Sequence, residues 1–256
     1  ACNIGDICII ASEDGEREMP AEVVGFRGSK VLLMPYGDMS GIGYGSVVRN
    51  TGKQLQIRVG KDLIGRTVDA MANPIDGGPP IRAEAYYPIK GAPPNPLDRP
   101  RIREPIQIGI KAIDGLLTIG KGQRMGIFAG SGVGKSTLMG SIARNVRSDV
   151  NVIALVGERG REVMDFIENS LGEEGLKRSV LVVATSDQPA MMRSKCALTA
   201  TTIAEYFRDQ GNDVLLMMDS LTRYCMALRE IGLSIGEPPV ARGYTPSIYS
   251  DLPKLL

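Results

Sequence analysis

The residues at 129–137 form a glycine-rich run that ends in lysine, serine and threonine, a combination suited to binding phosphate groups. Glycines let the backbone curl so that successive amides point at one anion, and a helix that begins there adds its partial positive charge. Lys135 would reach the β- and γ-phosphates of a nucleotide, and Ser136 would offer its hydroxyl to magnesium. The strict pattern begins with glycine, whereas Ala129 adds only a methyl group at the loop entry. The candidate nucleotide-binding residues are Gly130, Ser131, Gly132, Val133, Gly134, Lys135, Ser136 and Thr137.

A carboxylate, Asp219, directly follows another apolar run, Val214–Met218. In an open parallel sheet, ligands bind beyond the carboxyl ends of the strands. We therefore expect Asp219 to lie beside the phosphate loop and to hold a magnesium ion, through water. An acid after an apolar run is common by itself, and its pairing with the loop is what indicates a site for ATP and Mg²⁺.

Two acids and two arginines follow a third apolar run, in the segment G-E-R-G-R-E at 157–162. An ATPase needs a carboxylate that deprotonates the attacking water and cations that neutralise charge on the transferring phosphoryl group. The predicted catalytic residues are Glu158 as the base, Arg159 as a γ-phosphate contact, and Lys135. Glu162 is predicted to hold a magnesium-bound water, which makes the metal set Ser136, Asp219 and Glu162. Arg161 and Glu162 fit an ordinary solvated helix start nearly as well, because acids are favoured there.

Alternating strands and helices would position these residues. Apolar runs of strand length are separated by stretches with helical periodicity, and the runs are Met125–Phe128, Val152–Val156, Val180–Ala184 and Val214–Met218. Runs that are apolar on both faces are typical of a parallel sheet covered by helices on each side. The sequence from Ile106 onward therefore predicts an α/β domain with a mostly parallel sheet.

The pattern ahead of this domain is different. Residues 1–72 contain short apolar runs broken by turn residues, which indicates a small β-barrel or sandwich. The segment from Pro74 to Pro105 holds nine of the 16 prolines, and proline fits neither a helix interior nor a central strand. We expect an ordered connector there. The predicted division is 1–72 for the first domain, 73–105 for the connector and 106–256 for the ATPase domain.

Composition excludes several classes of function. The chain carries 30 basic and 29 acidic side chains, a net charge of +1, which gives nucleic-acid binding no support. It has no histidine and four cysteines without a C-x-x-C pair, so a zinc site is not expected. No apolar stretch approaches the roughly 20 residues that cross a bilayer. We expect a cytoplasmic protein with reduced thiols.

Ordered blocks of this sequence closely resemble the ATPases of the bacterial flagellar type III export apparatus. The blocks include A-G-S-G-V-G-K-S (129–136), G-E-R-G-R-E (157–162), V-V-A-T-S-D-Q-P (182–189), A-E-Y-F-R-D-Q-G (204–211) and L-L-M-M-D-S (215–220). The virulence type III secretion ATPases are similar almost throughout, and both belong with the rotary ATP synthase subunits. The likeness runs from about Val23 to the C-terminus. It implies an N-terminal β-barrel, a RecA-like P-loop domain, and a homo-hexamer with active sites between subunits.

The resemblance also implies partners and a location. It implies a stator-like regulatory protein, a coiled-coil stalk protein in the ring pore, and export chaperones with their substrates. These would be delivered to a membrane export gate, so the protein would be cytoplasmic and peripherally associated with the inner membrane export apparatus. Nucleic acid is not among the implied partners.

The family implies further residues that lie outside this sequence. Its members normally begin earlier than Ala1 and continue past Leu256 into the rest of the nucleotide domain and a helical C-terminal domain. That later region supplies the aromatic residue that stacks on adenine and an arginine finger, which is worth about 10³–10⁵ in rate. We therefore expect this chain alone to bind nucleotide poorly and to hydrolyse ATP very slowly.

Other functions remain open at this stage. A virulence secretion ATPase and then a catalytic subunit of a rotary proton-driven ATPase are the alternatives within the enzyme class, and Ser186–Pro189 and Met191–Arg193 favour the flagellar type. A non-catalytic ring subunit would replace Glu158, for example with glutamine. A ring helicase is disfavoured by the near-neutral charge, 5% aromatic residues and absence of tryptophan for base stacking.

Overall fold

The computed structural model describes residues 2–13, 15–91, 93–130 and 132–256. Its first part is a four-stranded antiparallel sheet formed by β1 (Asp6–Ala11), β2 (Glu18–Arg27), β3 (Lys30–Pro35) and β4 (Val47–Gln54). The strand order is β3-β2-β1-β4. Side chains of β1 alternate between buried and half-buried, because successive residues of a strand point to opposite faces.

Several short elements lie between β4 and residue 135. They are β5 (Gln56–Val59), β6 (Thr67–Val68), β7 (Ala85–Pro88), β8 (Pro105–Ile106), α1 (Lys111–Leu116) and β9 (Ile119–Gly120), with 3₁₀ turns at Lys61–Leu63 and Pro96–Asp98. Antiparallel pairs join β5 to β7 and β8 to β9. The short β6 instead pairs with a strand of the second sheet. The division at 72 and 105 stays a prediction.

The second sheet is parallel. It consists of β10 (Val150–Glu158), β11 (Ser179–Thr185), β12 (Val214–Asp219) and β6, in the order β12-β10-β11-β6. The helices around it are α2 (Lys135–Asn145), α3 (Gly160–Asp165), α4 (Gly172–Leu176), α5 (Ala190–Asp209), α6 (Leu221–Ile235) and α7 (Pro246–Leu255). A wide π-helical turn, Phe166–Leu171, links α3 to α4.

Helices cover both faces of β10. Val152 and Ala154 belong to the core that includes Cys196 of α5, whereas Ile153 and Leu155 pack in a second core that includes Met139 of α2. Nearly all of β10 is buried for this reason. The prediction of a mostly parallel sheet with helices on each side is confirmed.

The strand predicted at Met125–Phe128 is wrong. These residues are irregular, and Phe128 is 98% exposed. A strand needs a neighbour that takes its backbone hydrogen bonds. In the described part of the chain, β12 pairs only with β10, and no strand pairs with this segment. An apolar run shows that a strand could be buried, but it does not supply the neighbouring strand.

A buried ion pair joins the first sheet to the helices of the second. Lys195 of α5 lies 2.6 Å from a carboxylate oxygen of Glu22 in β2, and both side chains are less than 9% exposed. The hydroxyl of Tyr36 donates to the same carboxylate. Burial raises the pKa of Tyr36 and lowers the pKa of Lys195, and the Glu22 carboxylate opposes the shift at the lysine.

Among the described residues, no helix has the length and apolarity that crossing a membrane requires.

Candidate nucleotide-binding and catalytic site

The predicted phosphate loop runs into α2, as the sequence indicates. Gly134 caps the helix with φ +91°, and Gly132 has φ +76°, a backbone region that glycine enters without steric cost. A Cβ atom built at Gly130, Gly132 or Gly134 would meet nothing within 4 Å. Space for a ligand therefore lies beside the loop.

The remaining loop residues are also accessible. Val133 is 67% exposed, and Ser136 and Thr137 are exposed in the first turn of α2. The amides of this turn have no earlier helical carbonyl to bind, and with the helix dipole they favour an anion. Ser131 lies outside the described residues.

The strand end at Asp219 meets the loop lysine. The ammonium of Lys135 donates to Oδ1 of Asp219, which is 4% exposed. Asp219 lies opposite Leu155 in the register between β12 and β10, and β10 continues three residues further to Glu158. A buried carboxylate requires a charged or hydrogen-bonding partner, and Lys135 is that partner.

Glu158 lies in the same electrostatic environment. Its Oε1 atom is 3.4 Å from Nε of Arg223, and its side chain is 16% exposed. Burial first, then a hydrogen bond with Glu162 and the negative charge of Asp219, raise the pKa of Glu158 from 4.5 to about 7. Arg223 and Lys135 partly oppose this rise. The structure thus brings Glu158, Asp219 and Lys135 together at the carboxyl edge of the sheet.

Arg159 and Glu162 lie at the start of α3. Nη1 of Arg159 is 3.7 Å from Oε1 of Glu162, and both side chains are largely exposed, so the pair adds at most about 1 kcal/mol to stability. The hydrogen bond from Glu158 lowers the pKa of Glu162. Glu162 therefore interacts with Glu158, the predicted base. It also lies in the first turn of α3, as expected if it is an ordinary acidic residue at a helix start. The catalytic role of Arg159 and the metal role of Glu162 stay predictions.

Two residues of the site escaped the sequence analysis, Arg223 and Gly157. Gly157 has φ +71°, and a Cβ atom there would lie 2.9 Å from Cδ of Arg223. Glycine at this position lets the arginine stem cross the end of β10 and reach Glu158. The sequence did contain a feature that could have indicated Arg223, namely the helix cap at Ser220. The hydroxyl of Ser220 caps α6 by accepting a hydrogen bond from the backbone N–H of Arg223. That capping pattern places Arg223 in the first turn after Asp219.

The available donors fit magnesium. A serine hydroxyl and carboxylates are hard oxygen ligands of the kind that Mg²⁺ prefers. In the part of the chain that the structure describes, no three His, Cys, Asp or Glu side chains are grouped to enclose a metal ion. In nucleotide sites Mg²⁺ commonly keeps several waters and uses one or two protein ligands together with substrate phosphates.

A parallel sheet with a phosphate loop and carboxylates at its strand ends defines the class of P-loop nucleotide-binding domains. The chain belongs to the ATP synthase alpha/beta family. The model of that family's nucleotide-binding domain matches residues 109–256, and the model of its β-barrel domain matches residues 1–52. The predicted fold class, a RecA-like P-loop domain preceded by a β-barrel, is confirmed.

Comparison with individual proteins agrees. The chain is 58% identical to the flagellum-specific ATP synthase of Bacillus subtilis (strain 168), across 100% of this chain and 59% of that protein. It is 50% identical to the type 3 secretion system ATPase of Xanthomonas euvesicatoria, across 99% and 58% of the two chains. The resemblance to export ATPases is confirmed. The chain spans less than two thirds of the length of these relatives.

A solved structure shows the same fold. The assembled ATPase EscN in complex with its central stalk EscO, from the type III secretion system of enteropathogenic E. coli, matches with a TM-score of 0.91 and 47% identity. The match covers 100% of this chain and 62% of the EscN chain.

Glu158 is expected to titrate near neutral pH in the nucleotide-free and metal-free protein. In the folded protein the pKa of Glu158 is about 7, above the ordinary 4.5. Between pH 4.5 and about 7, Glu158 is therefore more protonated in the folded protein than in the unfolded chain. The contribution of Glu158 to the free energy of unfolding is fully present below about pH 4.5 and is lost as the pH rises through about 7. Carbon-13 NMR of the glutamate carboxyls measures the titration directly.

Arg223→Met should move this titration further upward, because the arginine charge favours the ionised carboxylate. Arg208→Met is the matched control, since Arg208 pairs with Asp209 at the end of α5. A measured Glu158 pKa near 4.5, or a Glu158 pKa that is the same in wild type and in Arg223→Met, would contradict the described environment.

Proposed function

We propose that the protein binds ATP with magnesium and hydrolyses it to energise or facilitate protein export through a flagellar type III apparatus. One observation carries the catalytic part: Glu158, Asp219 and Lys135 meet at one edge of a parallel sheet, beside the start of α2. A phosphate loop alone would support only nucleotide binding. The adjacent carboxylates add groups that can hold a metal and activate water.

Binding begins with the loop and its helix. The amides around Gly132 and Gly134 and the N-terminus of α2 receive the phosphates. Lys135 exchanges its ion pair with Asp219 for the β- and γ-phosphate oxygens, which frees the carboxylate. Ser136 and the released Asp219 are the residues that would hold magnesium. When bound, magnesium neutralises charge on the β- and γ-phosphate oxygens.

Hydrolysis then requires a base and cations. Glu158 accepts the proton of the attacking water, and its pKa of about 7 suits a base that works near neutral pH. Arg223 holds the Glu158 carboxylate at the strand end. Arg159 would contact the γ-phosphate, and Glu162 would help to hold magnesium together with Ser136 and Asp219. An arginine finger from a neighbouring subunit, which the resemblance to export ATPases implies, would complete the site.

The export role is supported by the relatives. Flagellum-specific ATP synthases from Bacillus subtilis, Pseudomonas aeruginosa and Treponema pallidum are 50–58% identical to this chain. A virulence secretion ATPase is the second candidate, and the match to EscN favours it. A catalytic subunit of a rotary proton-driven ATPase is the third.

Part of the proposed partner set is supported by the same comparison. The EscN structure contains the assembled ATPase with its central stalk, which supports an assembly around a stalk protein. For this protein the proposed form is a homo-hexamer around a coiled-coil stalk protein. A stator-like regulatory protein, export chaperones and their substrates, and a membrane export gate complete the proposed set. The protein would then be cytoplasmic and associated peripherally with the inner membrane export apparatus.

Lys135→Ala should weaken binding of Mg–ATP by about 10–100-fold, because charge-assisted hydrogen bonds to the phosphates are lost. Calorimetric titration of the protein at the full length of its relatives measures the two dissociation constants, because this chain alone is expected to bind nucleotide poorly. Lys177→Ala is the control, since Lys177 pairs with Glu173 and Glu174 on the exposed surface of α4. Equal affinity of wild type and Lys135→Ala would exclude the proposed site.

A further inference from the structure

The guanidinium group of Arg178 binds the C-terminal end of the phosphate-loop helix. Nη1 of Arg178 donates to the carbonyl oxygen of Val146 at 3.0 Å. Nη2 donates to those of Ala143 at 2.6 Å and Arg144 at 2.5 Å. The last four carbonyls of a helix have no intrahelical partner, and a cation there also complements the helix dipole. A single side chain thus satisfies three carbonyls in and just after the last turn of α2.

A buried polar network holds the same helix end. Asn151, which is 0% exposed, donates to the carbonyl oxygen of Ala143 at 2.9 Å and to the hydroxyl of Ser179 at 3.3 Å. The backbone N–H of Asn151 donates to the carbonyl oxygen of Arg178. Because Asn151 lies at the beginning of β10 and Ser179 begins β11, the C-terminus of α2 is attached to the amino ends of both strands.

Further contacts hold α2 at its middle, through Gly140, and at its N-terminal end, through Lys135. Gly140 lies against the π-helical turn, where an added Cβ atom would be 2.3 Å from the carbonyl oxygen of Ser170. At the N-terminal end, Lys135 pairs with Asp219. A triphosphate would take Lys135 away from Asp219, so in the liganded state the position of α2 along its axis would depend on its C-terminal contacts together with the core packing of Met139 and Ile142.

We propose that Arg178 is a positioning residue for the phosphate loop. Arg178 sets the position of α2 along the helix axis. It therefore also sets the distance from Lys135 to the carboxylate of Glu158 at the end of β10. The helix is about 16 Å long and rigid, so a displacement at Ala143 is transmitted to Lys135. This inference rests on the proposed ATP site and adds a residue that contacts neither nucleotide nor metal.

Arginine is required for this role. Its planar fork lets two nitrogens reach carbonyls on two sides of the helix end at once, whereas lysine offers one compact ammonium. Arg178→Lys therefore keeps the charge that favours the helix dipole and loses the paired hydrogen bonds. A purely electrostatic or general stabilising role would survive this substitution better than a positioning role.

The test compares Mg–ATP affinity and thermal stability in the protein at the full length of its relatives. Arg178→Lys and Arg178→Ala are each expected to weaken Mg–ATP binding at least about tenfold, since displacements near 1 Å are costly in such sites. Millimolar guanidinium should restore binding to Arg178→Ala by occupying the vacated place, but should not restore Lys135→Ala. Guanidinium bound there would also restore some stability, so the affinities are measured well below the melting temperature of each variant, where a loss of stability alone would leave binding unchanged.

Arg66→Lys is the matched control. The Arg66 side chain makes two 2.7 Å hydrogen bonds to the Asp76 carboxylate and not to carbonyls of α2, so its replacement should lower the melting temperature and leave Mg–ATP affinity unchanged. Wild-type affinity in both Arg178 variants, or weakening without rescue in Arg178→Ala, would overturn the inference. Should Arg178→Ala not fold, wild-type affinity in Arg178→Lys overturns it alone. If wild type and Lys135→Ala bind alike, the proposed function falls, and the inference falls with it.

Discussion

Lys195→Met is expected to lower the free energy of unfolding by about 3–5 kcal/mol, because it leaves a buried carboxylate without its counter-ion. Glu22 and Lys195 are less than 9% exposed and 2.6 Å apart. After the substitution, Glu22 keeps the Tyr36 hydroxyl as a partner but loses its positive charge. Chemical denaturation followed by tyrosine fluorescence or circular dichroism measures the change.

The control uses the same substitution at the surface. Lys177 pairs with two acids, and its side chain is 60% exposed, so Lys177→Met should change the free energy of unfolding by less than about 1 kcal/mol. The double variant Glu22→Gln/Lys195→Met should lose less than the sum of the two single variants, because removing both charges leaves neither uncompensated. Equal effects of Lys195→Met and Lys177→Met would show that the buried pair does not join the two sheets energetically.

Glu158→Gln is expected to lower ATP turnover by about 10²–10⁴ and to spare ATP binding. Glutamine keeps the size of the side chain but cannot accept the proton of the attacking water. The assay uses the protein at the full length of its relatives, because this chain covers 59% of the Bacillus subtilis relative. Steady-state hydrolysis and equilibrium Mg–ATP binding, measured on the same preparation, separate the two effects.

Glu168→Gln provides the matched control, since Glu168 is exposed in the π-helical turn. Its turnover should equal that of wild type. Normal hydrolysis by Glu158→Gln would remove Glu158 as the base, and parallel losses of binding and turnover would assign it to nucleotide binding instead.

Local sequence order was sufficient to predict where the main site residues lie. The glycines at 132 and 134 followed by Lys135 indicated a loop that enters a helix, and α2 begins at that lysine. Asp219 and Glu158 follow apolar runs that form parallel strands, and parallel strands present their carboxyl ends at one edge. The proximity of these side chains therefore follows from fold class, while their roles stay predictions.

Contacts between residues far apart in the chain could not be predicted from local sequence patterns. Arg223 reaches Glu158 only because Gly157 leaves room for its stem, and neither residue belongs to the phosphate-loop pattern. Lys195 lies on a helix whose other buried residues are mostly apolar or small, and its partner Glu22 comes from a different sheet. The segment at 125–128 has the composition of a strand, but pairing depends on a neighbour that no local pattern reveals.

The structure of this protein with Mg²⁺ and a non-hydrolysable ATP analogue tests the central claim most directly. We expect the ammonium of Lys135 to leave Asp219 and contact β- and γ-phosphate oxygens, with the Glu158 carboxylate within reach of the γ-phosphate through one water. A nucleotide bound elsewhere, or one that leaves Lys135 paired with Asp219 and Glu158 turned away, would contradict the account.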